Sequence, residues 1–343
     1  MSEILLPPGT RVLVTGGAGF IGSCVVRRLL SWPGIEVTTL DKIGYASDLT
    51  SIELVLDGLN SSESSCHQLL KVDLADAAAT DQAIRQADPD LVMHLAAESH
   101  VDNSINNPNN FINTNILGTF NLLKETQKLH QNNHKIKFVQ ISTDEVYGDS
   151  VKKTYGSKEN DIYKPSSPYS ASKASSDHLV RAWSRTYGIK YNITCSANNF
   201  GPYQNDEKLI PVIIKNAIKK KLIPIYGNGL QQRNWIYVED NAEAIIKVAL
   251  KGKLDSTYNI GSNNDHTNKF MANEICKILH KDYSLNKNIF KLIKSVDDRP
   301  GHDQKYKINY NKIKKELNWK PKFSFKKSMT QTINWYYKRF NGN

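Results

Sequence analysis

Apolar and polar residues alternate in blocks along the first 200 positions of the chain. Six apolar runs of strand length predict buried strands. The runs cover residues 11–15, 36–40, 67–74, 91–97, 137–141 and 191–197. Between them, apolar residues recur at spacings of three and four, most clearly over residues 77–86 and 111–129, which predicts helices. Strands that alternate with helices predict an α/β fold with a doubly wound parallel sheet.

The pattern changes beyond residue 197, where the elements become more mixed. Helices are predicted over residues 210–221, 238–250 and 325–340, and a strand over residues 235–238. These elements predict a smaller mixed α/β lobe over residues 198–343, beside a first domain of residues 1–197. The segment near 233–260 is expected to return to that first domain.

A glycine-rich turn joins the first predicted strand to the first predicted helix. Gly16 permits a tight turn, Gly19 lets the backbone approach a diphosphate, and Gly22 lets helix and strand pack closely. Helical spacing of Ile21 and Val25 follows at once. A diphosphate would therefore lie at the helix N-terminus. This context favours a Rossmann-type dinucleotide site over a plain strand-to-helix turn.

An acidic residue ends the second predicted strand. Asp41 follows Gly22 by 19 residues, at the place where a carboxylate can bind both ribose hydroxyls of the cofactor. Because a carboxylate repels a 2′-phosphate, NAD is favoured over NADP, although the adjacent Lys42 leaves NADP open. Asp73, at the end of the third strand, is a candidate adenine contact or a helix N-cap.

Composition and cysteine spacing exclude several classes of protein. The chain has 39% hydrophobic and 23% charged residues, and no apolar run approaches the length of a membrane span. The N-terminus lacks the charged and apolar regions of a signal peptide. Four cysteines without metal-like spacing fit reduced thiols, so a cytoplasmic protein without a structural metal is expected.

Charge is distributed unevenly along the chain. Residues 210–343 carry 26 Lys and Arg against 11 Asp and Glu, a net charge of +15, whereas residues 1–209 carry −4 and the whole chain +11. A basic second half could attract nucleic acid or a smaller phosphorylated ligand, or reflect a lysine-rich surface. No basic motif is interleaved with aromatic residues, so nucleic-acid binding is not expected.

Two groups of polar residues could carry chemistry. Thr143, Asp144 and Glu145 follow the fifth predicted strand, and ligands of open α/β sheets bind at the carboxyl ends of strands. Tyr169 and Lys173 are four residues apart on a predicted helix that Ser167 would cap, and so share one face. A nearby ammonium group is expected to lower the pKa of the Tyr169 phenol, which would make Tyr169 an acid/base group.

Three basic residues of the second lobe stand in predicted turns rather than on helix faces. They are Arg233, Arg299 and His302. Arginine suits bidentate recognition of phosphate, so a diphosphate site or a polar surface loop is expected there.

These motifs together resemble one protein superfamily over nearly the whole chain. The glycine turn, Asp41, Thr143 and the Tyr169/Lys173 pair are similar to the extended short-chain dehydrogenase/reductases. The run 142–148 resembles the nucleotide-sugar 4,6-dehydratase branch. Further matches lie at residues 96–102, 198–199, 207–211 and 298–303. Sister epimerases keep the Tyr and Lys but lack the Asp-Glu pair.

The resemblance implies a lyase reaction with transient reduction of NAD. Tyr169 would take the proton of the sugar 4-hydroxyl as C4 gives a hydride to NAD, with Thr143 bonding the 4-oxygen and Lys173 bonding the ribose. Glu145 would then remove the C5 proton and Asp144 would protonate the departing 6-hydroxyl. The hydride returns to C6, so the net reaction is a dehydration to a 4-keto-6-deoxy sugar nucleotide, on the route to deoxysugars such as rhamnose.

The resemblance also implies two sets of binding residues. Those expected to contact NAD are Gly16, Gly19, Phe20, Ile21, Gly22, Asp41, Lys42, Asp73, Leu74, Ala96, Ala97, Ser99, Thr114, Tyr169, Lys173 and Asn199. Those expected to contact the sugar nucleotide are Ser99, His100, Thr143, Asn198, Lys208, Leu209, Pro224, Tyr226, Arg233, Asn268, Arg299 and His302.

Several alternatives remain at this stage. The expected substrate is dTDP-glucose, with UDP-glucose dehydration or sugar-nucleotide epimerisation as alternatives. A protein that binds NAD without catalysis is a further class. Members of the superfamily pair through the helices placed here at residues 111–129 and 168–187, so a homodimer is expected.

Overall fold

The computed structural model describes residues 6–59, 66–132 and 135–342. Its centre is a seven-stranded, all-parallel sheet in the order β10-β6-β5-β4-β1-β2-β3. These strands are β1 Arg11–Thr15, β2 Glu36–Asp41, β3 His67–Lys71, β4 Leu91–His94, β5 Lys137–Thr143, β6 Lys190–Ser196 and β10 Ser256–Ile260. The doubly wound parallel sheet predicted from the sequence is therefore confirmed.

Burial explains the apolar runs of the central strands and shows that the prediction for one other strand, β3, was wrong. Residues 12–15 of β1 and residues 91–94 of β4 are all buried. Both faces of these strands are therefore covered, as in parallel sheets flanked by helices. The prediction that β3 is buried was wrong, because β3 lies at the edge of the sheet and Leu69 is exposed. The seventh strand, β10, comes from the segment expected to return to the first domain.

Helices flank the sheet. The α-helices are α1 Phe20–Leu30, α2 Thr50–Leu56, α3 Ala77–Ala87, α4 Val101–Asn106, α5 Pro108–Phe111, α6 Gly118–Gln131, α7 Pro168–Tyr187, α8 Leu209–Ile218, α9 Val238–Lys251, α10 Asn268–Asp282, α11 Asn311–Leu317 and α12 Phe325–Asn341. Helix α1 packs against α9, whereas α3 packs against α6 and α6 against α7. The sheet is therefore flanked by two groups of helices, α1 with α9 and α3 with α6 and α7, which is the Rossmann-type arrangement.

The helix predicted over residues 111–129 is not continuous. A π-helical turn, Ile112–Leu117, separates α5 from α6. The hydroxyl of Ser176 on α7 donates to the Asn115 carbonyl at 2.6 Å, and the Asn115 amide bonds the backbone of Glu98 and the hydroxyl of Ser172. These lateral contacts hold the widened turn, a feature that often occurs at functional sites. The apolar spacing of the sequence contains no signal for it.

The second lobe is built around short strands and three packed helices. Its strands are β7 Asn198–Phe200, β8 Ile223–Tyr226, β9 Gln232–Tyr237, β11 Asp265–Thr267, β12 Ile293–Val296 and β13 Lys305–Tyr306. Strand β9 pairs with β7, β11 and β13, and β8 pairs with β12. Helices α8, α10 and α12 pack against one another. The helix predicted over residues 210–221 ends three residues early, because Lys220 adopts a positive φ of 52°.

Candidate active site

The candidate active site is a cleft at the carboxyl ends of the central strands. Thr143 at the end of β5 pairs in register with Ser196 at the end of β6. The cleft has a volume of about 280 Å³ and is lined by the glycine turn, by β5, by α7 and by the start of the second lobe. The five predicted catalytic residues, Thr143, Asp144, Glu145, Tyr169 and Lys173, all line it.

Close packing explains the glycines of the first turn. Gly16 has a φ of +68°, and a Cβ atom there would lie 2.6 Å from the backbone nitrogen of Ala96. A Cβ atom on Gly22 would lie 2.0 Å from the Gly16 carbonyl oxygen. Gly19 caps α1 without a side-chain hydrogen bond. The first amides of α1 therefore face the cleft without a competing side chain, as an anionic diphosphate requires.

The Gly22→Ala substitution tests this packing. We expect a loss of about 2 kcal/mol in the free energy of unfolding, because the new methyl group overlaps a backbone oxygen. The rise in melting temperature that NAD produces should also disappear. Gly58→Ala is the matched control, since the nearest atom to its Cβ would be 3.5 Å away. A Gly22→Ala protein with the melting temperature and NAD response of the wild type would contradict this explanation.

A second cavity of about 110 Å³ continues from the glycine turn toward the ends of β2 and β3. Asp41 is buried there, and its carboxylate accepts hydrogen bonds from the amides of Ala18 and Ile43 and from the Ser47 hydroxyl, at 2.8–3.1 Å. A carboxylate held in this way would repel a 2′-phosphate. Lys42, which left NADP open, forms an ion pair with Glu98 at 2.5 Å.

Every residue predicted to contact NAD lines one of these two cavities. The residues therefore fit a dinucleotide that spans both cavities, with the glycine turn between them. Asp73 lines the second cavity, whereas the N-cap of α3 is Asp76, which accepts from two amides of the first turn. The N-cap alternative for Asp73 is thus wrong.

A 3₁₀ turn, Asp144–Tyr147, holds the two adjacent carboxyl groups directly after β5. The Thr143 hydroxyl caps this turn by accepting from the Glu145 amide at 3.3 Å. Burial, reinforced by the neighbouring charge of Glu145, raises the pKa of Asp144 well above its ordinary value. Burial also raises the pKa of Glu145, but Arg233, Arg299 and Lys208 oppose that effect. The pKa of Asp144 is therefore raised with less opposition than that of Glu145, which favours Asp144 as the candidate acid and Glu145 as the candidate base.

Tyr169 and Lys173 share the face of α7 that covers the cleft, as predicted from their spacing. The predicted cap is also confirmed, because Ser167 and Ser170 form a reciprocal capping box. The predicted lowering of the Tyr169 pKa is wrong for this structure. Burial and the charge of Glu145 raise the pKa of Tyr169, and the Lys173 ammonium donates to the Ile141 carbonyl at 2.7 Å.

The residues predicted to bind the sugar nucleotide form two groups. Ser99, Thr143, Asn198 and Lys208 line the cleft, and the Lys208 ammonium donates to the Ser99 carbonyl at 3.0 Å. The other residues occupy nearby elements of the structure without lining that cavity. His100 caps α4, Leu209 begins α8, Pro224 and Tyr226 lie in β8, Arg233 in β9, Asn268 begins α10, and Arg299 and His302 lie after β12.

One acidic residue joins several of these outlying groups. Asp102 accepts a hydrogen bond from the Tyr226 hydroxyl at 2.8 Å and forms an ion pair with Arg299 at 3.1 Å. The ring of His302 packs edge-on against Tyr226, and its Nδ1 lies 2.6 Å from a carboxylate oxygen of Asp298. Asp102 thus brings Arg299 and Tyr226 together, and His302 joins them through its ring contact with Tyr226.

Arg233 has several contacts of its own and lies near the two predicted catalytic carboxyl groups. Its guanidinium donates to the carbonyls of Gln232 and Asp303, at 2.9 and 3.0 Å, and lies 4.3 Å from the centre of the Tyr306 ring. Burial lowers its pKa, and Tyr306 and then the charge of Glu145 oppose this effect. Arg233 therefore places a buried positive charge near Glu145.

Sequence reasoning missed four residues of this region: Glu98, Asp102, Asp177 and Tyr306. Glu98 and Asp102 belong to the run 96–102 that matched the family, so their contacts could have been sought. Asp177 lies one helical turn beyond Lys173, where burial rather than sequence reveals it. Nothing in the sequence around Tyr306 indicates its contact with Arg233.

The described residues contain neither a membrane-spanning helix nor a cluster of metal-binding side chains. Within residues 6–59, 66–132 and 135–342, no helix is both long and apolar enough to cross a membrane. Over the same ranges, no group of three or more His, Cys, Asp or Glu side chains is arranged to hold a metal ion.

The sheet, the glycine turn and the Tyr–Lys pair define a nucleotide-dependent oxidoreductase scaffold with two additional carboxyl groups. Residues 13–332 match the family described as GDP-mannose 4,6 dehydratase. The chain belongs to this family, which is part of the extended short-chain dehydrogenase/reductases.

Individual relatives agree with this assignment. A dTDP-glucose 4,6-dehydratase of Escherichia coli is 46% identical, with 95% of this chain and 93% of the relative aligned. That of Neisseria meningitidis serogroup B is 45% identical, with the same coverage. The crystal structure of DesIV, a dTDP-glucose 4,6-dehydratase from Streptomyces venezuelae with NAD and dTDP bound, has a TM-score of 0.86 at 36% identity, covering 97% of this chain and 98% of DesIV. The resemblance stated from the sequence is confirmed.

Proposed function

We propose that this protein is an NAD-dependent dTDP-glucose 4,6-dehydratase, a hydro-lyase that produces dTDP-4-keto-6-deoxy-glucose on the route to deoxysugars such as rhamnose. The observation that carries this proposal is the placement of Asp144 and Glu145 in the same cleft as Tyr169. An oxidoreductase needs only the Tyr–Lys pair, whereas elimination of water needs an acid and a base beside it. The similarity to dehydratases named for this reaction supports the same function.

In the first step, Tyr169 takes the proton of the sugar 4-hydroxyl. The Thr143 hydroxyl lies within hydrogen-bonding distance of the Tyr169 phenol and lowers the pKa of that phenol against the effect of burial. Thr143 therefore bonds the same sugar oxygen. The Lys173 ammonium has three hydrogens, of which one bonds the Ile141 carbonyl in the structure. The other hydrogens can bond the cofactor ribose. In the structure burial and the charge of Glu145 raise the Tyr169 pKa, so the proposal requires the ammonium group, once turned toward the ribose, to favour the phenolate form that accepts the proton.

In the second step, the two carboxyl groups divide the work of elimination. The new 4-ketone makes the C5 proton acidic, and Glu145 removes it. Asp144, which burial keeps protonated, gives its proton to the departing 6-hydroxyl. Two neighbouring carboxyl groups whose pKa values differ can serve as base and acid at the same pH. Arg233 lowers the pKa of both carboxyl groups, and Arg299 and Lys208 also lower that of Glu145, which makes Glu145 the more acidic of the two.

NAD supplies the oxidation of C4 and the reduction of C6, so it is regenerated in each turnover. The glycine turn and the start of α1 hold the diphosphate, and Asp41 holds the ribose and excludes a 2′-phosphate. Residues 1–197, with the returning segment near 233–260, thus form the NAD-binding domain. Residues 198–343 form most of the substrate-binding lobe.

The sugar nucleotide extends from the cleft toward the outlying group. Arg233 and Arg299 bind its diphosphate, in keeping with the positive charge of the second half of the chain. Tyr226, Asn268 and Pro224 belong to the substrate contacts carried over from the resemblance. Ser99, His100, Asn198, Lys208, Leu209 and His302 complete the set of substrate contacts carried over from the resemblance.

Turnover of dTDP-glucose and UDP-glucose side by side tests the proposed function. The expected result is a 4-keto-6-deoxy product from dTDP-glucose, detected by its absorbance in alkali, without net formation of NADH. Preference for UDP-glucose would correct the nucleotide. An epimerised product or steady accumulation of NADH would overturn the dehydratase assignment, as would wild-type protein that is inert on both substrates.

We further propose that the protein is a homodimer that pairs through α6 and α7. The exposed apolar residues on this face include Ile112, Leu117, Phe120 and Tyr187, a pattern that often marks an interface. Phe120 packs edge-on against Trp183 of α7, with ring centres 5.8 Å apart, so the two helices present one surface. A cytoplasmic location is also proposed, in keeping with the buried thiols of Cys24 and Cys195.

Light scattering tests the dimer. The wild type should have twice the 38.7 kDa mass of the chain. The Phe120→Glu substitution should give monomers, because it places a charge at the centre of the apolar face. Val151→Glu, at an exposed apolar residue elsewhere, is the control and should remain dimeric. A wild-type protein that is monomeric would contradict the proposed homodimer.

A further inference from the structure

A line of three charged residues, two of them buried, runs along α7. Lys173, Asp177 and Arg181 are successive residues four apart, so they lie on one face of the helix. Lys173 and Asp177 are both buried, with Asp177 completely so. Charged groups in such surroundings are costly unless they compensate one another. The proposed mechanism uses Lys173 but assigns nothing to Asp177.

The Asp177 carboxylate is held firmly on one side only. Its Oδ2 atom accepts hydrogen bonds from the Ser142 hydroxyl at 2.7 Å and from the Tyr163 hydroxyl at 3.0 Å. Its Oδ1 atom is buried and, among the described residues, has no hydrogen-bond partner. Arg181 approaches the same network from outside, donating to the Tyr163 hydroxyl at 3.1 Å and to Thr257 at 3.0 Å.

Asp177 is the main charge that offsets the burial of Lys173. Burial lowers the pKa of the Lys173 ammonium, and Asp177 is the strongest charge that raises it again. The Lys173 charge in turn opposes the rise that burial causes in the pKa of Asp177. Since the Lys173 ammonium donates to Ile141 rather than to Asp177, the two groups act on each other through space.

Other titratable groups face this line from neighbouring elements. They are Tyr163 on the connection before α7, Cys195 and Tyr191 on β6, His94 on β4, and Asp144 and Glu145 beside Tyr169. Burial lowers the pKa of His94 to about 3 and raises that of Cys195 to about 12, and it also raises the pKa of Tyr163. These three groups are uncharged near neutral pH, so Asp177 supplies the negative charge on this side of Lys173.

We infer that Asp177 is a positioning residue that keeps Lys173 protonated at the NAD ribose, by presenting an immobilised carboxylate one helical turn behind it. This inference rests on the proposed function, which assigns the ribose contact to Lys173. The carboxylate is aligned by Ser142 and Tyr163 and balanced by Arg181. It touches neither the substrate nor the reacting atoms, and it acts only through Lys173.

The Asp177→Asn substitution tests the inference, because it preserves shape and removes the charge. NAD affinity and the kcat for dTDP-glucose are measured from pH 6 to 10. In the wild type both fall at alkaline pH as Lys173 loses its proton. In the variant this alkaline limb should move to lower pH by about one unit, because a nearby opposite charge is lost. Above the wild-type limb, where the activities of both proteins fall with the same slope, the wild type should exceed the variant by a factor that approaches 10.

Two further variants separate charge from structure. Asp177→Glu keeps the charge, so its alkaline limb should stay at the wild-type position even if its stability falls. Tyr163→Phe removes a hydrogen bond to the carboxylate but leaves the charge, and should also keep the limb. An Asp177→Asn protein with the wild-type limb would overturn the inference. If that variant does not fold, an Asp177→Glu limb displaced to lower pH would overturn it. NAD binding needs no turnover, so a failure of the proposed dehydratase activity remains distinguishable.

Discussion

The Tyr169→Phe protein is expected to turn over dTDP-glucose about 10³-fold more slowly than the wild type, with little change in KM. In the proposed mechanism the phenolate of Tyr169 is the proton acceptor of the first step, and loss of a general base typically costs a factor of 10²–10⁴. The phenyl ring of Phe keeps the contact of Tyr169 with Phe111, whose ring centre lies 6.3 Å away, so the cleft should keep its shape. Steady-state rates at saturating substrate provide the measurement.

The control for this substitution is Tyr155→Phe. Tyr155 is 78% exposed, lies outside the cleft and should leave turnover unchanged. Melting temperatures of both variants show whether the fold is intact. If Tyr169→Phe keeps more than a tenth of the wild-type kcat, another group must accept the 4-hydroxyl proton.

The Glu145→Gln protein is expected to lose at least a factor of 10² in the rate of water elimination. Gln cannot remove the C5 proton, although it preserves the size of the side chain. The measurement is incorporation of deuterium at C5 when the reaction is run in D₂O, together with the rate of product formation. Both should fall together, because no elimination can begin before the C5 proton is removed.

Asp144→Asn is the matched comparison for Glu145→Gln. In the proposed mechanism Asp144 acts as an acid, since burial and the charge of Glu145 raise its pKa. Its loss should slow the departure of the hydroxyl yet leave C5 exchange with solvent detectable. If the Asn variant loses C5 exchange while the Gln variant keeps it, the roles of the two carboxyl groups are the reverse of those assigned.

The central sheet was predictable because its strands are buried on both faces. Six apolar runs correspond to β1–β6, and the glycine turn lies between β1 and α1 as its spacing required. The edge strand β3 was misjudged as buried, since an apolar run does not reveal how many neighbours a strand has. The π-helical turn was also missed, because Asn115 is held there by residues distant in sequence.

The candidate site was predictable where its residues follow strand ends and unpredictable where they meet across the fold. Strand ends of a parallel sheet converge, so the grouping of Asp41, Thr143 and Glu145 follows from topology. The contact of Asp102 with Arg299 joins residues 197 positions apart and depends on how the second lobe lies. The pKa of Tyr169 was predicted in the wrong direction because the spacing to Lys173 does not convey burial.

One isotope measurement tests the central assignment most directly. The wild-type protein is given dTDP-glucose carrying deuterium at C4, in ordinary water with unlabelled NAD, and the product is analysed by NMR. Transfer of hydrogen from C4 to C6 within one bound sugar predicts that the deuterium appears in the C6 methyl group. Deuterium that remains at C4, or that collects in free reduced cofactor, would contradict the assignment.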